Sequence, residues 1–150
     1  MLTAAGIRHA LVGALATNAY RSRPRTTEDI DFLVGDEAFE THAGGFVTMR
    51  VPVIEFDGVA IDQVPLTPSL RVIEDELNRA AVSDGVPIAS VDTIVVMKLL
   101  AGRTQDLADV EAIVASGADR GLLKSAVEKA VPERLSTLQK LLDHVDGGAR

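Results

Sequence analysis

The chain has 150 residues, and its 22 acidic against 15 basic residues leave a net charge of −7, which argues against a protein-wide basic footprint for nucleic acid. Apolar residues make up 47% but aromatic ones only 3%, with no Trp, so the core must be aliphatic and a stacking platform for single strands is disfavoured. There is no cysteine, which rules out disulfides and thiolate metal sites, and the three scattered histidines, His9, His42 and His144, argue against a histidine zinc site.

No apolar run approaches the length of a membrane span, and "MLTAAGIRHALVG" lacks the basic start and long apolar stretch of a signal peptide. The expectation is a soluble cytoplasmic protein with no membrane association. At this length the chain reads as one domain, 1–150, sheet-rich over 1–90 and helical over 91–146. A small mixed β-sheet with packed helices and a helical C-terminal half is an α+β fold.

In chain order, "IRHALVG" is a short apolar strand ending in Gly13, and "ALATNAY" is a helix leaving it. "RSRPRTT" is a polar loop broken by Pro24, followed by the strand in "RTTEDIDFLV". "FVTMRVPVIEF" supplies strand material interrupted at Pro52, and Asp57-Gly58 predicts a hairpin into the return strand "VAIDQV". Leu70, Ile73 and Leu77 have helical spacing, and "GVPIAS" is a further short strand. Ser90 caps the helix "VDTIVVMKLLAG", Thr104 caps "QDLADVEAIVAS", and Gly117 ends the latter. The tail forms one or two amphipathic helices broken near Pro132, with "DGGAR" frayed.

Two aspartates in one strand need a reason. Asp29 and Asp31 alternate onto the same face, about 6.6 Å apart along the backbone, where ionised carboxylates repel by roughly 3 kcal/mol at an effective dielectric near 20. A shared proton, a nearby arginine or a divalent cation relieves such a pair, and carboxylates with substrate phosphates are typical magnesium ligands. Solvation at a strand end, with Asp29 capping the Thr26–Thr27 turn, is the structural alternative. Asp62 follows Ile61 on the return strand, either as a third carboxylate beside the first two or as a surface residue of an edge strand. Gly13 lets the backbone approach a phosphate, or is an ordinary strand-to-helix glycine.

"LVGALATNAYRSRPRTTEDIDFLV" resembles the opening of the DNA polymerase beta-type nucleotidyltransferase superfamily, and its "RTTEDID" is similar to the pattern of minimal, AbiEii-like nucleotidyltransferases, many of them toxins of toxin-antitoxin systems. The segment "SVDTIVVMKLLAGRTQDLADVEAI" extends the resemblance, which covers roughly 7–115. It implies a nucleotidyltransferase fold with Asp29, Asp31 and Asp62 as catalytic residues and ligands of Mg²⁺ (or Mn²⁺), Asp62 also acting as base. It implies nucleotide binding, such as ATP, by Gly13, Ala14, Arg25, Thr27 and Lys98. Ala14 departs from the family's Gly or Ser. Lys98, in an otherwise apolar helix, either reaches solvent or meets phosphate; Asp106 and Asp109 suit a helix's first turn and a structural pairing with Lys98 or Arg103.

The implied activity is Mg²⁺-dependent transfer of a nucleoside monophosphate from an NTP to a hydroxyl of RNA, a protein or a small molecule. A toxin role with an antitoxin partner is implied too, and DNA is not an expected partner. The alternative is a catalytically weak or inactive module of the same fold that binds a nucleotide or a partner protein.

Overall fold

The computed structural model describes residues 1–52 and 54–148. Val53, inside the expected strand material, and Ala149 and Arg150, inside the expected frayed end, lie outside the described residues. The chain divides into two compact units: a sheet unit, Met1–Leu15 with Thr26–Ala89, and a helical unit, Ala16–Arg25 with Ser90–Arg150. The division near residue 90 follows the change from strand-like to helical sequence. The segment Ala16–Arg25, early in the chain, belongs with the late helices.

The sheet unit is built on six strands. β1 (His9–Val12), β2 (Ile30–Val34), β5 (Glu55–Phe56), β6 (Val59–Val64), β7 (Ala81–Ser83) and β8 (Val86–Ile88) form one mixed sheet in the order β5-β6-β2-β1-β8-β7. β2 runs antiparallel to β1 and parallel to β6, while β1 runs parallel to β8. β3 (Phe39–Thr41) and β4 (Val47–Met49) pair in a separate hairpin.

The Asp57-Gly58 turn joins β5 to β6 with both residues at positive φ, 51° and 77°, as a type I′ turn requires. Asp84-Gly85 does the same between β7 and β8, at 50° and 79°, so the expected strand in "GVPIAS" is the second arm of a hairpin. The apolar run with helical spacing becomes a 3₁₀ stretch, Pro68–Ile73, and then α2 (Glu76–Arg79). One face of the sheet carries a core of Leu2, Ile7, Val34, Ala38 and Ile54, with Phe32, Phe39 and Ile61 packed against it.

α1 (Gly13–Thr17) begins in the sheet unit and continues as a 3₁₀ turn, Asn18–Tyr20. In the helical unit, α3 (Val91–Ala101) packs on α4 (Thr104–Ala115) and α5 (Arg120–Ala130), and α4 packs on α6 (Leu135–Gly148). Fully buried leucines such as Leu123, Leu138 and Leu142 each contribute about 2 kcal/mol of apolar transfer. The break before α6 falls at Pro132, as expected.

Two ends differ from expectation. Thr104 is the first residue of α4 rather than its cap; Arg103 holds the cap position, and its backbone N–H donates to Oδ2 of Asp106 at 3.2 Å. Asp106 therefore reaches back to satisfy a donor that a threonine cap would leave alone. The end expected to fray stays helical to Gly148, where Arg120 grips Asp146 with two hydrogen bonds of 2.7 and 2.6 Å. Gly117, at φ 95°, closes α4 as expected.

Candidate functional site

The register of β2 on β6 builds the site. Asp31 lies directly beside Asp62 on parallel strands, with Ile30 beside Ile61 one residue earlier. Side chains alternate along a strand, and Ile61 and Phe32 pack into the core on one face. Asp31 and Asp62 therefore share the opposite face, on strands about 4.8 Å apart. Asp31 is half-buried and Asp62 exposed. Two carboxylates at that spacing repel by about 1 kcal/mol in water and roughly 3 kcal/mol at a dielectric near 20.

Asp29 comes one residue before β2 and is exposed. It stands in a turn held by Thr27, whose hydroxyl accepts from the Asp29 N–H at 3.3 Å. The threonine thus serves the aspartate's backbone, the reverse of an Asp29 cap on the Thr26–Thr27 turn. Among the described residues no three carboxylate or imidazole groups are gathered closely enough to hold a metal ion as they stand.

Gly13 has a specific reason to be glycine. Its φ is 68°, and a Cβ there would overlap Oδ2 of Asp31 and lie 3.1 Å from its Cγ. The Asp31 carboxylate rests against the bare α-carbon that opens α1, with Ala14 following. An oxyanion brought to this turn meets a negative group, so phosphate can settle there only if the charge of Asp31 is neutralised. Carboxylate pair and glycine turn together suit a hard divalent cation and phosphate oxygens.

The remaining residues assigned to nucleotide binding, Arg25 and Lys98, belong to the helical unit, where both meet Asp109. Nζ of Lys98 donates to Oδ2 of Asp109 at 2.8 Å and to Oδ1 of Asp106 at 3.2 Å. Arg25 grips Asp109 in bidentate fashion, Nε and Nη2 each at 3.0 Å, and Nη1 of Arg21 adds a bond at 2.9 Å. Gln105 supplies a further donor at 3.1 Å, and Arg103 pairs with Asp106 at 2.7 Å. Lys98 is only 7% exposed, so the lysine in the apolar helix neither runs to solvent nor stands alone.

Burial pushes the Asp109 carboxyl up, but the hydrogen bonds from Arg25 and Lys98 prevail and hold it at about 2. Asp106 is likewise lowered: burial opposes, and Arg103 followed by Lys98 prevails. The structural pairing expected for Asp106 and Asp109 is what the helical unit contains. Arg21 and Gln105 were not legible as members. Arg21 lies 88 residues from Asp109, and no local spacing links the two.

Among the described residues no helix is long and apolar enough to cross a membrane. No protein-family model matches the chain, and no curated protein does. Among solved structures, the chain is similar to an antigenic nucleotidyltransferase-like protein from Paracoccidioides brasiliensis, at 18% identity over 92% of this chain and 87% of that one, with a TM-score of 0.46.

Proposed function

We propose that the sheet unit is a nucleotidyl-transfer centre, and the observation that carries this reading is the placement of Asp31 beside Asp62, with the Asp31 carboxylate against Gly13. Asp31 and Asp62 would hold Mg²⁺ or Mn²⁺, with Asp29 as an outer ligand drawn in from its turn. When bound, the cation neutralises the carboxylates and stabilises charge on the phosphate oxygens. The backbone at Gly13 and Ala14 would bind and orient the triphosphate of an NTP. Asp62, exposed on its strand, would take the proton of the acceptor hydroxyl at a carboxylate oxygen, while the attacking oxygen displaces pyrophosphate.

Arg25 and Lys98 enter this reading as positioning residues, because their charges are engaged by Asp109. They anchor the segment Ala16–Arg25, which joins the Gly13 turn to the Asp29–Asp31 stretch through the chain. The acceptor is a hydroxyl of RNA, a protein or a small molecule. Growth arrest on expression, relieved by Asp31→Asn, is the outcome expected if the chain acts as a toxin; an antitoxin would relieve it as well.

The test is pyrophosphate release from each NTP with Mg²⁺ or Mn²⁺, with and without total RNA. Turnover that disappears in Asp31→Asn and Asp62→Asn supports the reading, and turnover equal to wild type in both removes it. A second reading, nucleotide or partner binding without turnover, draws on the place of Asp29 in a turn before β2, off the strand that carries Asp31. It is favoured if NTP and cation raise the melting temperature while no pyrophosphate appears.

A further inference from the structure

We infer that Asn18 is a positioning residue for the proposed transfer site. Its carboxamide ties the end of α1 to the backbone of Arg25, and so limits how far Asp29 moves between its turn and the carboxylates of Asp31 and Asp62. This inference rests on the transfer reading and deepens it by naming what guides the outer ligand.

The bond pattern is reciprocal. Nδ2 of Asn18 donates to the Arg25 carbonyl at 2.8 Å, and the Arg25 N–H donates to Oδ1 of Asn18 at 3.0 Å. A carboxamide carries a donor and an acceptor on one short planar group, so it pairs with Arg25 as a residue of an adjacent antiparallel strand does. Alanine offers neither group, and aspartate lacks the donor.

The stretch between the two residues is fastened as well. The Ser22 N–H donates to Oγ of Ser116 at 2.8 Å, and Arg21 and Arg25 reach Asp109 at 2.9 and 3.0 Å. All of these residues belong to the helical unit. The Arg25 guanidinium by itself would leave its backbone free to shift at the end of a long, flexible side chain. Asn18 removes that freedom at the backbone, where the chain leaves for Asp29.

The clamp also divides the excursion between β1 and β2 into two arms with the same number of residues. Val12 pairs with Asp31 at the base, and Asn18 pairs with Arg25 six residues further along each arm. The arms differ in rise. The first is helical over Gly13–Thr17, and the second, from Thr26 to Asp29, is neither helix nor strand. Six helical residues rise about 9 Å, whereas six extended ones reach about 20 Å, so the second arm carries slack. The turn in which the Thr27 hydroxyl accepts from the Asp29 N–H takes up part of it. Opening that turn releases chain for Asp29, and the fixed backbone of Arg25 bounds the release. Without the clamp, more conformations of this arm compete, and ordering Asp29 costs more chain entropy.

The test titrates the full chain with Mn²⁺ alone, read from the electron paramagnetic resonance signal of the free ion. Wild type, Asn18→Ala, Asp29→Asn and the double variant are compared. Asn18→Ala should weaken Mn²⁺ binding by about fivefold or more, and should weaken it no further once Asp29→Asn is in place, because the clamp acts through Asp29. A second readout needs no metal. Backbone amide order parameters of Thr27, Glu28 and Asp29 should fall in Asn18→Ala, while those of α4 and α5 hold. The inference is overturned by Mn²⁺ affinity unchanged in Asn18→Ala, or by an equal effect with and without Asp29. Order parameters that do not change, or that fall throughout the helical unit, overturn it too. Failure of the transfer reading looks different: wild type binds no Mn²⁺, or Asp31→Asn and Asp62→Asn bind it as tightly as wild type, and this inference then falls with that reading.

Discussion

In the helical unit Asp109 is fully buried and accepts hydrogen bonds from Arg21, Arg25, Lys98 and Gln105. In the sheet unit Asp62 is exposed, sits beside Asp31, and has no side-chain partner among the described residues. The same residue type thus serves two ends. A carboxylate surrounded by cations holds its unit together and has little capacity left for a ligand. A carboxylate set beside another one, with no cation of its own, costs stability and remains available to an external charge.

The widest separation of the two roles comes from neutralising one member of each cluster. Asp62→Asn should raise stability by up to about 1 kcal/mol as the repulsion from Asp31 is relieved, while lowering any NTP-dependent turnover by roughly 100-fold or more. Asp109→Ala should do the reverse to stability, removing about 4 kcal/mol because several buried cations lose their shared acceptor. Urea denaturation of both variants measures this, and an Asp109→Ala midpoint equal to wild type would show that the cluster is not structural.

Gly13→Ala tests the contact that joins backbone to carboxylate. The left-handed φ alone costs an alanine about 1–2 kcal/mol, and displacement of the Asp31 carboxylate adds to it. Gly44→Ala is the control, since Gly44 has φ 90° and nothing near its missing Cβ. Equal losses in the two variants would mean that Asp31 yields freely and that the turn does not fix it.

Acid should distinguish the clusters as well. The Asp109 carboxyl is held at about 2 against an ordinary 3.8, so its contribution is fully present above about pH 4 and is lost as pH falls toward 2. That contribution is roughly 2 kcal/mol by linkage. Glu37, held at about 2 chiefly by its hydrogen bond from Arg8, loses stability over the same window. The Asp109 share is therefore the difference between wild type and Asp109→Asn, read from chemical denaturation between pH 5 and 2. Identical slopes in the two proteins would contradict the assignment.

The smallest effect belongs to Arg103→Gln. The Arg103 side chain is 77% exposed, and Asp106 keeps Lys98, so the loss should be under about 1 kcal/mol. A loss near that of Asp109→Ala would place Arg103 inside the cluster rather than at its rim.

The α+β class, the change of character near residue 90, the Asp57-Gly58 hairpin and the break at Pro132 were legible in the chain, because each depends on local chemistry: alternation, turn residues, helical spacing. Asp84-Gly85 carried the same hairpin signal as Asp57-Gly58 and was equally readable. Tertiary structure decided the rest. Asp31 and Asp62 become neighbours only through the parallel register of β2 on β6, a pairing across 31 positions that no local pattern specifies. The same holds for Arg21 and Arg25, which close on Asp109 from 88 and 84 residues away. A charge's role depends on the dielectric and the counter-charges around it, and only the folded chain brings those together.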